Sequence, residues 1–345
     1  MKKKLGIGVD IGGTNTDFGL VDAEGNIVRR GRLKMAGYDD VAVYVKDLAE
    51  ALLAALGELD AEAEGIGIGA PNGNFHTSCI EHAPNLKFKG IIPLSEMIRQ
   101  YINVPVTLSN DANAAAYGEL IYGGAKGMKD IIMFTLGTGV GSGVIVDGKL
   151  VHGFTGCAGE LGHAILVPEG RLCTCGRRGC LEEYASARGI CQTFDELRRW
   201  VTCYTGKLAN IPLRGLDTKL IADAAYAGDE VALKAFERTG FLLGIAAANA
   251  VAATSPEAVF LMGGPVQAGK ILMEPLEKSF HEHLYVSFKG KTQIRVSELN
   301  ANDVAIRGAA ALVKMPRRLR PALRVRGRRK ALWSQSADPS LSWDG

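Results

Sequence analysis

The 345-residue sequence has no apolar run suited to crossing a membrane. Its longest candidate, 239–256, is interrupted by Asn249, Ser255 and many small residues, and reads as a buried helix. A secretory signal is not expected either, because Asp10 breaks the apolar stretch that follows Lys2, Lys3 and Lys4. Charge of one sign is missing too. The formal net charge of +3 comes from the C-terminal end, where residues 314–345 carry nine Lys or Arg against two Asp. The preceding chain holds 31 positive and 35 negative side chains, so its body gives no basic footprint for nucleic acid. Cysteine is scarce and odd in number. Three of the seven fall within eight residues, which fits a metal site in a reducing cytoplasm better than a disulfide scaffold. A makeup of 47% hydrophobic and 22% charged residues excludes disorder, collagen and coiled coil, and the length leaves room for two domains.

What the chain has in abundance is glycine, 43 residues, many of them clustered where apolar runs end. The runs 5–9, 18–21 and 27–33 read as a three-stranded meander. Val41, Val45, Leu48, Leu52 and Leu56 then mark an amphipathic helix. Strands at 66–69 and 104–108, with a helix at 94–101 between them, complete a βββαβαβ order, which predicts an α/β unit built on a mixed sheet. A second cycle opens with a helix over 112–121 and a strand over 131–136. A hairpin follows at Asp147-Gly148, the strongest short turn signal in the chain. Further helices are expected at 187–200, 216–227, 230–253 and 303–313, and strands at 258–262 and 293–296. The recurrence of a glycine-turn hairpin about 130 residues on points to two related halves with a cleft between them.

Three glycine turns are candidates to face phosphate. In Asp10-Ile11-Gly12-Gly13-Thr14-Asn15 the glycines free backbone N–H groups, and Thr14 and Asn15 add donors. Asp10 would repel a bare phosphate, so a cation such as Mg²⁺ is expected between them. The second turn runs from Gly137 through Thr138 and Gly139 to Gly143, and the third is Gly263-Gly264. None has the lysine of a P-loop or the βαβ setting of a dinucleotide fingerprint. Ser109-Asn110-Asp111 ends a strand and begins a helix. Position alone favours Asp111 as a helix cap; the alternative is a base that takes a proton from a sugar hydroxyl attacking a γ-phosphate. Cys173, Cys175 and Cys180, with His163 ten residues before the first, make a closed donor set for a structural Zn²⁺. Such a metal would also fix Glu160 and Glu182, which flank it in sequence.

DIGGT at 10–14, SNDAN at 109–113, LGTGVGSG at 136–143, GELGH at 159–163 and CTCGRRGCLE at 173–182 together resemble the ROK family of repressors and sugar kinases. The resemblance covers about residues 5–313, and within the family it is strongest to the bacterial glucokinases. It implies an actin-like ATPase fold with two RNase H-like lobes and a central cleft. It also implies ATP-dependent phosphorylation of a hexose, most often glucose, at the 6-hydroxyl. Asp111 would be the general base, and Asn110, Glu160, His163 and Glu182 would bind the sugar, with a weaker match at Asn72. Asp10 to Thr14 and Gly137 to Gly139 would hold the triphosphate, and Gly263 and Gly264 would border the adenosine. Residues 1–112 with 303–315 would form the smaller lobe, 113–302 the larger lobe with the zinc loop, and 316–345 a poorly ordered basic tail. ATP, Mg²⁺ and a structural Zn²⁺ are the expected cofactors of a cytoplasmic homodimer with no nucleic-acid or membrane partner. The first loop begins at residue 10, too early for a preceding DNA-reading helix-turn-helix, which weighs against the repressor branch. An N-acetylmannosamine, N-acetylglucosamine, fructose or allose kinase, and a non-catalytic sugar sensor, are the competing readings.

Overall fold

The computed structural model describes residues 2–300 and 303–316. The Arg-rich extension therefore lies outside the described residues, apart from its first position. The chain opens with β1 (Lys3–Ile11), β2 (Asn15–Val21) and β3 (Ile27–Lys34), followed by α1 (Val41–Glu58) and β4 (Ala61–Ala70). A small excursion carries β5 (Gly73–Asn74), β6 (Cys79–Glu81) and β7 (Ile91–Ile92), before α2 (Leu94–Arg99), β8 (Val106–Asn110) and α3 (Asp111–Tyr122). The second half runs β9 (Ile131–Leu136), β10 (Val140–Val146), β11 (Lys149–Leu150), α4 (Glu182–Ala185), α5 (Ala187–Trp200), α6 (Thr218–Tyr226) and α7 (Glu230–Thr254). It ends with β12 (Ala258–Gly263), α8 (Lys270–His283), β13 (Gln293–Val296) and α9 (Val304–Ala311).

Two five-stranded sheets repeat one plan. Their orders are β3-β2-β1-β4-β8 and β11-β10-β9-β12-β13. In each, a leading hairpin pairs antiparallel, its first strand pairs parallel with one later strand, and that strand pairs parallel with the last. The two related halves expected from the glycine-turn hairpins are thus present as a shared strand order. Asp147 and Gly148 both have positive φ, 51° and 70°, as a type I′ turn requires.

Apolar alternation explains how the first sheet is covered. Leu5, Ile7, Val9 and Ile11 point to one face, where they pack with Val45, Leu48 and Leu52 of α1. The other face of β1 and β4 is glycine where α9 crosses it. A Cβ on Gly8 would lie 2.1 Å from the Ile306 carbonyl oxygen, and one on Gly67 would lie 1.8 Å from that of Ala309. The helix rests directly on the strand backbone. Between the halves, α3 and α9 share a cluster with β9, β11 and β12 that includes Ala114, Met133, Phe260 and Leu312. This cluster packs the second sheet on α3 and α9, and α9 also lies on the first sheet. Among the described residues, no helix is long and apolar enough to cross a membrane.

Candidate active site

Asp10 is paired across the first sheet with Asp17 of β2 on one side and Gly69 of β4 on the other. Gly69 in turn pairs with Ser109 of β8, one strand further along. A Cβ on Gly69 would sit 3.8 Å from Asp10 Oδ1 and 3.5 Å from the Asp111 Cα, so its missing side chain leaves the gap between the two aspartates open. Burial, then the charges of Asp111 and Asp17, push the Asp10 carboxyl up to about 7. A cluster of acids with so little compensation is a site that a cation would stabilise.

The helix cap is Asn110, not Asp111. Asn110 Oδ1 accepts from the Ala112 N–H at 2.8 Å and the Asn113 N–H at 3.4 Å. Sequence position misassigned this role because both residues are good caps and the strand runs one residue further than its apolar pattern. Asp111 is left at the first turn of α3, with Oδ1 accepting from its neighbour's Ala112 N–H at 2.8 Å. It keeps surface open to solvent, yet protein packed around it desolvates the carboxyl and raises its pKa, a shift that the Ala112 hydrogen bond opposes.

The first glycine turn is closed by the Gly12 N–H donating to the Asn15 carbonyl at 2.9 Å, and it leaves Gly13 and Thr14 exposed. The second is closed by Gly137 N–H to Gly139 O at 2.9 Å, with Gly137 and Thr138 exposed. The third stands beside the second, since Gly263 pairs with Leu136 at the end of β9. A Cβ on Gly263 would fall 1.8 Å from the Leu136 oxygen and its φ is 117°, so only glycine fits; Gly264 beside it faces open space.

The GELGH segment is held against the second glycine strand. Ser142 Oγ donates to the Gly159 carbonyl and accepts from the Leu161 N–H at 2.9 Å. This brings Glu160 into a group with Asp111, His163 and Glu182. Burial raises the Glu160 pKa first, the His163 charge lowers it, and Asp111 and Glu182 raise it further. Glu182 opens α4 and bridges two motifs: Oε2 accepts from the Val140 N–H at 3.0 Å, and Oε1 lies 4.0 Å from Cys173 Sγ.

His163, Cys173, Cys175 and Cys180 place their donor atoms within 4.8 Å of one another. His163 Nδ1 is 3.6 Å from Cys173 Sγ, and the Cys175 and Cys180 sulfurs are 3.6 Å apart. Bonds of 2.0–2.3 Å to a tetrahedral Zn²⁺ imply ligand separations of about 3.5–3.8 Å, so the donor set fits that ion. With Nδ1 turned to the sulfurs, Nε2 is the nitrogen left for another partner.

Asn72 stands in the turn after β4, exposed and with a positive φ of 51°. Its amide donates to the carbonyls of Glu81 at 3.0 Å and His82 at 3.3 Å, closing a local turn. Two contributors went unnoticed in the sequence. Asn85 abuts the first glycine turn, where a Cβ on Gly13 would lie 2.4 Å from its carbonyl oxygen. Arg171 donates to Glu183 O, Gly189 O, Thr193 and Glu196, tying the cysteine loop to α4 and α5. A Pro84-Asn85 turn and a lone Arg carry no signal by themselves.

The family model described as the ROK family matches residues 6–315. The chain belongs to the ROK family. A glucokinase of Thermotoga maritima is 37% identical over 319 residues, covering 91% of this chain and 98% of its own. One from Halalkalibacterium halodurans is 34% identical, covering 91% and 96%. A solved ROK glucokinase from Streptomyces griseus, in complex with glucose and AMPPNP, superposes with a TM-score of 0.71 at 32% identity, covering 88% of this chain and 98% of that one. The twin sheets are therefore the paired halves of the actin-like ATPase fold, with the ROK motifs at the ends of their strands.

Proposed function

We propose that this ROK protein transfers the γ-phosphoryl group of ATP to the 6-hydroxyl of a hexose, with glucose as the preferred acceptor. The observation that carries the reading is the convergence of Asp111 with Glu160, His163 and Glu182 beside exposed glycine turns from both sheets. The glucokinases similar to this chain support glucose over the other hexoses.

Phosphoryl transfer asks for position and charge compensation more than covalent chemistry. Asp111 would accept the 6-hydroxyl proton as that oxygen approaches the γ-phosphorus. Asn110 is pinned by its capping oxygen, which leaves its amide donors for a sugar hydroxyl. Glu160 and Glu182 would accept from hydroxyls, and His163 Nε2 would contact another. The N–H groups of Gly12, Gly13 and Thr14, and of Gly137 to Gly139, would receive the triphosphate, with Asn15 beside them and Gly264 bordering the adenosine. Asp10 would hold, through water, the Mg²⁺ that arrives with ATP and neutralises phosphate charge. The zinc donors leave no open position, so that ion would shape the sugar side without joining the reaction. Residues 2–112 with 303–315 would close on 113–300 and exclude water.

Replacing Asp111 by Ala tests the assignment. Turnover should fall by three orders of magnitude or more, on the order of a lost base together with lost alignment, while calorimetric glucose binding stays within a few fold. Turnover near that of the parent protein would refute the role.

A further inference from the structure

Residues 74–76, in the excursion after β4, each touch the segment 152–156 that leaves β11 of the other sheet. Asn74 is 4% exposed, and its Nδ2 donates to the Thr155 carbonyl at 2.8 Å and to Glu81 Oε2 at 3.1 Å. Its Oδ1 accepts from the N–H groups of His76 at 2.9 Å and Thr77 at 3.4 Å. Phe75 stacks on His152, with ring centroids 3.9 Å apart and planes 12° from parallel. The Phe75 ring belongs to the apolar cluster of α3 and the second sheet, not to that of its own sheet. His76 Nε2 meets the Gly153 carbonyl at 2.7 Å. Burial and the nearby His76 push the His152 pKa down to about 4, so the stacked ring is neutral at ordinary pH.

Both ends of this contact lead to reacting groups. Gly73 sits against the Ser109 carbonyl, two residues before Asp111: a Cβ there would be 2.4 Å away. On the other side the segment folds back through the Ala158 N–H to the His152 carbonyl, at 3.1 Å, and runs directly into Glu160 and His163. None of the cleft residues assigned above lies within 74–76, and a buried amide with all of its bonds satisfied is a rigid strut.

We propose that Asn74 is a positioning residue: through Thr155 it sets the place of Glu160 and His163 relative to Asp111, so that the sugar side of the cleft keeps its spacing while the nucleotide side opens and closes. The kinetic part of this rests on the hexose-kinase reading; the structural part does not. Asn74→Asp retains the acceptor for His76 and Thr77 but loses the donors to Thr155 and to Glu81, and sets its own carboxylate beside that of Glu81. It should raise the glucose KM by about tenfold or more, the worth of at least one net hydrogen bond, and leave the ATP KM within about twofold. Amide exchange over 152–163 should accelerate by a similar factor, with β4 and β8 unchanged. His76→Ala, at an exposed position, should move both readouts in the same direction by a smaller factor, and it carries the test if the first variant does not fold. An equal rise in both KM values, or unchanged exchange over 152–163, overturns the proposal. If the parent protein phosphorylates no hexose, the kinase reading fails and the exchange readout still decides the strut.

Discussion

Asp111 carries a charge that its surroundings disfavour. Its pKa is raised mainly by burial, so between the unfolded value and the folded one the native state binds more protons than the unfolded chain. Its contribution to stability is therefore present at low pH and lost as pH rises through the folded pKa. Asp111→Asn keeps the carbonyl oxygen that accepts from Ala112 and removes the charge. At neutral pH it should melt at a higher temperature than the parent protein while losing turnover; a lower melting temperature would contradict the desolvation argument. The same shift sets the acid limb of activity. As the proposed base Asp111 would work ionised, so glucose kcat/KM should fall as pH drops, at a pH above the ordinary aspartate range. Asp111 and its neighbours were legible as residue types at the right spacing. Which of Asn110 and Asp111 capped the helix was not, because either oxygen can reach the same N–H groups and only the strand end decides.

At the scale of elements, the crossing of α9 over the first sheet depends on the absence of side chains. In Gly67→Ala the new Cβ would meet the Ala309 carbonyl at 1.8 Å, and a backbone atom cannot rotate away. The helix must shift, at a cost of about 2–3 kcal/mol, read as a lower urea midpoint with an unchanged m value. Gly57→Ala, near the end of α1 with nothing within 4 Å of its Cβ, should instead stabilise by a few tenths of a kcal/mol up to about 1. The sequence showed elements whose signals are local: the Asp147-Gly148 hairpin, the helix at 187–200, the strand at 293–296. It hid α8, because Pro275 lies inside that helix. Packing compensates there, since Gly240 and Gly244 of α7 bring the two backbones close; a Cβ on either would lie 2.8 and 2.6 Å from α8 carbonyls. The short strands β5 to β7 were also missed, having two or three residues each and no room for alternation.

At the scale of the molecule, the two sheets supply the exposed glycine turns, and the cysteine loop stands against Glu182. The glycine-turn recurrence made the twin halves readable, and the motif set made the family readable. Contacts between distant segments were not readable in the same way: Asn74 and Thr155 are 81 residues apart, and nothing in either neighbourhood announces the other. The zinc donors and Glu182 meet at Cys173, so removing the metal should disturb sugar recognition more than nucleotide recognition. Chelation, or Cys175→Ser, should weaken glucose binding by at least about tenfold and leave binding of a non-hydrolysable ATP analogue nearly unchanged, both measured by calorimetry. Equal loss of both ligands would place the metal in global folding instead.

If the protein moves phosphate from ATP to a hexose, ADP must appear only when a hexose is present. Coupled ADP release across a panel of hexoses and N-acetylhexosamines, with the product mapped by phosphorus NMR, tests it most directly. Hexose-dependent release is expected, with the highest kcat/KM for glucose and phosphate on the 6-oxygen. ADP release that no hexose stimulates, in protein with its full zinc content and added Mg²⁺, would contradict it.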